Sequence, residues 1–204
     1  MPKTSIRSEM LARRKQLAIG SCLVWSLRIQ ESLVRLPEFL SAHRLALYSP
    51  VRNEVFTEEI FRAARQMGKS VAFPRVRSEG IEFVEVTDRQ VMVPGTFGIL
   101  EPQSGPPVPV QEIDLIAVPG VAFDLKGHRL GFGKGFYDRL LSAPGRRCTL
   151  AGLCFEQQLV AALPAEDHDI RMDLLLTEER TLRFDGASSQ AVQENYSYGG
   201  GLGL

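Results

Sequence analysis

The chain has 204 residues, 44% of them hydrophobic and 24% charged, with Lys+Arg and Asp+Glu both at 24. That length and composition describe one globular domain able to bury a sizeable core, and a net charge of zero argues against nucleic acid or an anionic membrane surface as the main partner. The three cysteines (Cys22, Cys148, Cys154) are odd in number and lack C-x-x-C spacing, which argues against a disulfide framework or zinc site, and no apolar run of about 18 residues marks a membrane span.

Lys3 to Leu36 contains no proline, and Ile6, Met10, Leu17, Leu23, Leu27 and Leu33 recur at helical intervals. The spacing predicts one or two helices broken near Gly20. The segment lacks the apolar core of a secretory signal, and Glu9 among its basic residues speaks against a transit peptide. A reducing, cytoplasmic setting is therefore expected.

Arg44 to Tyr48 reads as a strand ended by Ser49-Pro50. Thr57 is the expected N-cap of a helix with Glu58 and Glu59 in its first turn, an apolar face of Ile60, Phe61, Ala64 and Met67, and Gly68 as the stop. Ser70 to Phe73 reads as a strand stopped by Pro74, and Ile81 to Val86 as another. The four prolines in 102–109 predict a surface loop. Leu115 to Val118 is wholly apolar, as suits a strand buried on both faces. Phe136 to Leu141 suits a short helix; Leu150–Leu153 and Leu174–Leu176 suit two more strands. Strands alternating with helices predict an α/β fold with a mainly parallel sheet flanked by helices. The glycine-rich segment 185–204 is expected to be a flexible tail beyond a domain of residues 1–184.

The segment Arg129-Leu130-Gly131-Phe132-Gly133-Lys134-Gly135-Phe136-Tyr137-Asp138 carries the chemistry. Alternating glycines let backbone N–H groups approach a ligand closely, successive inward N–H groups form an anion-binding concavity, and Arg129 and Lys134 add two full charges. The spacing matches neither G-x-x-x-x-G-K-[ST] nor G-x-G-x-x-G. Three glycines, two cations and a following helix together predict a phosphate-binding loop, an anion site on an α/β scaffold.

These residues, with Val118-Pro119-Gly120-Val121-Ala122-Phe123-Asp124 before them, resemble the 5-formyltetrahydrofolate cyclo-ligase (5,10-methenyltetrahydrofolate synthetase) family. Further matching stretches are Tyr48-Ser49-Pro50 with Asn53-Glu54-Val55, Pro74-Arg75-Val76, Gly95-Thr96-Phe97-Gly98-Ile99 with Glu101-Pro102, Leu163-Pro164 with His168-Asp169, and Met172-Asp173. The resemblance spans about Lys3 to Glu178 and stops before the tail.

It implies a Rossmann-like three-layer arrangement of the sugar-phosphate isomerase and CoA-transferase kind. It implies a ligase of folate one-carbon metabolism that closes 5-formyltetrahydrofolate to 5,10-methenyltetrahydrofolate with ATP and Mg2+, releasing ADP and phosphate. A monomer acting on small molecules, with no nucleic acid or membrane partner, is expected. Residue by residue, the resemblance places ATP on Lys3, Arg7 and the run Arg129, Leu130, Gly131, Phe132, Gly133, Lys134, Gly135, Phe136 and Tyr137. It places the folate on Ser49, Glu54 and the part of that run from Gly133 to Tyr137, and magnesium on Asp138 and Asp173. Lys134 and Arg129 are the expected catalytic cations, the more so because Phe132 stands where some relatives have arginine. Read alone, Asp124 is a turn residue, His168 a surface-turn histidine, Tyr48 a core or wall residue, and Arg75 a candidate for the glutamate end of a folate.

Overall fold

A computed structural model of the chain describes residues 1–78, 80–143, 147–166 and 169–184. The expected tail, 185–204, and His168 lie outside the described residues.

The N-terminal stretch forms two helices, α1 (Lys3–Lys15) and α2 (Ile19–Arg35), meeting at a bend of 106°. The break falls at Gln16–Ala18, ahead of the expected Gly20, which is inside α2 with open space around it. The inward face of α2 is Cys22, Ser26, Ile29, Gln30 and Leu33; Leu23 and Leu27, expected inside, are exposed. The helix is rotated by its polar contacts. Ser26 Oγ accepts the Phe56 N–H, and Gln30 Oε1 accepts those of Glu59 and Ile60.

After α3 (Pro37–Ser41), β1 (Arg44–Ala46) leads to α4 (Glu58–Gln66). Thr57 holds the N-cap position of α4 without capping it through its side chain; its hydroxyl donates to Tyr48 O, and Gln30 of α2 satisfies the free amides instead. Gly68, at φ 73°, ends the turn after α4 as expected.

β2 (Ser70–Arg77) runs straight through Pro74, which does not stop it, and pairs with β3 (Gly80–Glu85). The bond from Val86 N–H to Val71 O sets the alternation, so the Pro74 nitrogen faces away from β3, toward the side β1 leaves open beyond Ala72. Next come the hairpin strands β4 (Met92–Pro94) and β5 (Leu100–Pro102) and the edge strand β6 (Pro107–Val108), which adds order to the expected proline-rich loop. β7 (Leu115–Pro119) precedes a second hairpin, β8 (Ala122–Asp124) and β9 (Arg129–Leu130). The glycine loop and α5 (Phe136–Leu141) follow, then β10 (Thr149–Leu153), β11 (Leu159–Val160), β12 (Leu174–Leu176) and β13 (Thr181–Arg183).

The main sheet has eight strands in the order β13-β12-β10-β7-β1-β2-β3-β6. From β12 to β2 every pairing is parallel, and the outer strands are antiparallel. β7 shows why its sequence is apolar throughout. Leu115 and Ala117 join a core with Cys22, Ile29, Leu33 and Phe39, which lie on α2 and α3, while Ile116 and Val118 join an opposite core with Phe123 and Leu141. A third cluster, Ile6 and Met10 with Val121, Ala122, Leu130 and Leu163, seals α1 onto the β8–β9 hairpin.

Candidate functional site

β1 connects to β2 on one side, whereas β7 lies on its other side, so the order reverses between β1 and β7. Open parallel sheets bind ligands at such a point, beyond the carboxyl ends of the strands. A cavity of about 540 Å³ opens there. Tyr48, Ser49 and Glu54 reach it from the segment after β1, Pro74 and Val76 from β2, and Pro119 from the end of β7.

The glycine loop forms one wall, from Arg129 to Asp138 without a gap. Gly133 and Gly135 have φ of 93° and 65°, a region open to glycine and strained for other residues. A Cβ on Gly131 would meet Arg129 Nη1 at 2.7 Å, so the guanidinium bonded to Asp138 would have to shift. Asp124, fully buried, fixes the turn that feeds the loop by accepting the N–H groups of Lys126, His128 and Leu163 and bonding His128 Nδ1. Burial alone would raise its pKa; those hydrogen bonds outweigh it and hold the carboxyl below its ordinary value. Asp124 is thus the turn residue its sequence implies.

Arg129 sends Nη2 to Asp138 Oδ1 at 2.8 Å and stacks on the Tyr137 ring at 5.6 Å. α5 has only six residues, with Gly135 as N-cap, so the cationic side chains supply most of the positive field. Lys134 is exposed at the mouth, and no described residue partners its ammonium. Arg7 reaches over from α1, donating from Nε to Gly131 O at 2.8 Å. Lys3 lines the same mouth but is paired with Glu166 at 2.9 Å and Asp169 at 2.8 Å. Burial lowers the Lys3 pKa and the two carboxylates more than reverse this, leaving it raised.

Leu11, Val76, Ile81 and Ile99 add apolar lining. Ser49 Oγ donates to Leu100 O at 2.7 Å. Tyr48 is a wall residue, its hydroxyl donating to Val55 O. Glu54 is 4% exposed, and burial pushes its carboxyl up to about 7 although Arg14 opposes the shift. Glu54 Oε1, Tyr137 Oη and Arg129 Nε are buried without hydrogen-bond partners, three polar atoms on residues lining one cavity.

Every expected site residue lines this cavity except Asp173. Its carboxylate accepts Leu150 N–H at 2.8 Å while its own N–H donates to Leu150 O, a brace between β10 and β12. The two acids expected at magnesium are therefore not brought together at the cavity. Arg75 is not at the cavity either; it is held by Glu82 and by Gly105 O. Arg14, which the sequence reading passed over, is 1% exposed and ties Arg52 O and Gly120 O together beside Glu54. Its signal was the spacing from Ile6 and Met10, which puts it on the buried face of α1.

Comparison with known proteins agrees with this geometry. A "Probable 5-formyltetrahydrofolate cyclo-ligase" of Caenorhabditis elegans is 31% identical over 175 residues, covering 76% of this chain and 82% of the relative. The "5-formyltetrahydrofolate cyclo-ligase" of Mus musculus is 29% identical over 198 residues, covering 87% and 94%. The solution structure of the Aquifex aeolicus 5,10-methenyltetrahydrofolate synthetase superposes with a TM-score of 0.82 at 37% identity, covering 93% of this chain and 97% of that one. A model of the 5-formyltetrahydrofolate cyclo-ligase family matches residues 1–178, and the chain belongs to that family.

Proposed function

We propose that this ligase uses Mg-ATP to phosphorylate the formyl oxygen of 5-formyltetrahydrofolate, and that N10 of the folate then displaces phosphate to close the methenyl ring. A formamide carbon is a poor electrophile and its oxygen a poor leaving group; phosphorylation corrects both. The single observation that carries this reading is one cavity lined by a cationic glycine loop, by apolar side chains and by a buried carboxylate. It suits a triphosphate and a flat heterocycle held against each other, where catalysis comes from positioning and charge neutralisation.

In this reading the N–H groups of the loop and the side chains of Arg129 and Lys134 bind the phosphates. Lys134, exposed and without a described partner, is the cation able to follow the phosphoryl group from ATP to the formyl oxygen. Arg7 and Lys3 close the nucleotide end; Lys3 would exchange Glu166 and Asp169 for phosphate oxygens. Glu54, Ser49 and the segment Gly133–Tyr137 hold the folate.

Asp138 is a hard oxygen donor within the cavity lining, and magnesium commonly takes one or two carboxylates with the rest of its shell from phosphate and water. Asp138 would hold the ion, which when bound neutralises phosphate charge. Residues 1–184 form the catalytic unit, acting as a cytoplasmic monomer. The test is turnover by the purified chain. With 5-formyltetrahydrofolate and Mg-ATP, the near-ultraviolet absorbance of the methenyl product should rise; no rise from folded protein at high concentration overturns the proposal.

A further inference from the structure

Arg14 is held by main-chain acceptors on two sides. Its Nε donates to Arg52 O at 2.9 Å, in the segment after β1, and its Nη1 to Gly120 O at 3.0 Å, just past β7. The guanidinium therefore bridges the cleft where the strand order reverses. Asn53 Nδ2 returns a bond to Arg14 O at 3.1 Å and another to Leu17 O at 3.4 Å, so the end of α1 and this loop clasp each other. Arg52 and Asn53 both lie in left-handed backbone, at φ 50° and 57°, a conformation that persists only where surrounding contacts impose it.

The remaining guanidinium nitrogen, Nη2, stands 3.6 Å from Glu54 Oε1, beyond hydrogen-bond length, and both atoms are buried and unpartnered. Glu54 Oε2 is already committed to Val51 N–H at 3.0 Å. Tied at two other points, Arg14 has little freedom to swing and close the gap, and Glu54 is held by its backbone bond. One carboxylate oxygen is thus left with its charge balanced by proximity and its lone pairs unused, on a residue that lines the cavity.

We propose that Arg14 is a positioning residue for folate recognition: it sets the loop that carries Glu54 and holds a guanidinium beside that carboxyl group, so that Oε1 is presented to an N–H donor of the bound folate. The inference rests on the cyclo-ligase reading. Arg14 itself is not among the residues lining the cavity, so it acts through Glu54. The charged and titratable groups facing Glu54 are Arg14 on α1, Arg52 on its own loop, Tyr48 after β1 and Tyr137 on α5. Burial holds both tyrosines neutral, which leaves the two arginines to oppose the cost of burying the carboxylate. Without Arg14 the Glu54 carboxyl would hold its proton to higher pH, and less of it would be an anionic acceptor at neutral pH.

The experiment compares wild type, Arg14→Met, Arg14→Lys, Glu54→Gln and the double variant Arg14→Met/Glu54→Gln as full chains, with saturating Mg-ATP, between pH 6 and 9. Wild-type turnover in the same assay establishes the parent reading, so its absence sinks that reading and not this inference alone. Arg14→Met should raise KM for 5-formyltetrahydrofolate by about tenfold with a much smaller change in kcat. It should also move the acid limb of kcat/KM up by about one pH unit or more. Arg14→Lys, which keeps the charge but cannot hold both main-chain acceptors, should raise KM by a smaller factor than Arg14→Met, and in the Glu54→Gln background Arg14→Met should add little. Unchanged KM and pH limb in a folded Arg14→Met variant overturn the inference, as does an undiminished effect in the double variant. If Arg14→Met does not fold, Arg14→Lys decides: a rise in KM with kcat retained and the limb displaced supports the role, and a wild-type profile overturns it.

Discussion

Arg129 Nη2 donates to Asp138 Oδ1 at 2.8 Å, so the residue that opens the glycine loop is tied to the residue that follows it into α5. The bond draws the loop shut around Gly131–Gly135 and leaves the acid at the cavity wall. Asp138→Asn should therefore lower turnover by about 10–100-fold at limiting magnesium, with partial recovery as magnesium is raised. Asp173→Ala should behave differently. It breaks the brace to Leu150 N–H, so stability should fall by about 1–2 kcal/mol in chemical denaturation, with the magnesium dependence unchanged.

The loop glycines predict a separation of stability from activity. Gly133→Ala and Gly135→Ala place a Cβ at φ 93° and 65°, which should cost about 1–2 kcal/mol each and reduce turnover, because the loop amides move. Gly68→Ala is the control. At φ 73° with nothing near its Cβ, it should lose similar stability and keep wild-type turnover, as read by denaturation and assay of the same preparations.

Glu54 predicts a pH dependence of stability. Its carboxyl is raised from 4.5 to about 7 in the folded protein, first by burial. The folded state thus holds a proton that the unfolded chain has lost. Its contribution is full below the unfolded value and disappears as pH rises through about 7. Relative to Glu54→Gln, wild type should lose about 2 kcal/mol between pH 5.5 and 7.5. Parallel curves for the two proteins would remove the buried charge from the description of the cavity.

A chain ending at Phe184 should keep wild-type activity and melting temperature. One ending at Glu178 should lose about 2 kcal/mol or more, because it deletes β13, the buried Leu182 and the Arg183–Glu38 ion pair. Thermal melting and turnover of the two truncations distinguish these outcomes.

Much of the scaffold was legible where local composition agreed with the final environment. Leu115–Val118 reads as a doubly buried strand because its alternate residues do enter two different cores. The Phe136–Leu141 helix and the Leu174–Leu176 strand were found for similar reasons. Misses came where a distant partner decided the local outcome. Gln30 caps α4 in place of Thr57, and that demand turns Leu23 and Leu27 outward. Pro74 stays within a strand because β1 stops early enough to leave its nitrogen unopposed. Hairpin strands of two or three residues, such as β8 and β9, have too few positions to show a period. In the site, glycines and loop cations announced themselves by spacing. Arg14 did not, because Arg13-Arg14-Lys15 looks like a solvated charge run unless its helical register with Ile6 and Met10 is followed.

The most direct test of phosphoryl transfer to the formyl oxygen follows that atom. With 5-formyltetrahydrofolate carrying ¹⁸O in the formyl group, the oxygen should leave with the phosphoryl group, so each turnover should yield one ADP and one phosphate containing one ¹⁸O atom. Unlabelled phosphate, or methenyl product formed without ADP, would contradict the role assigned to Lys134 and the glycine loop.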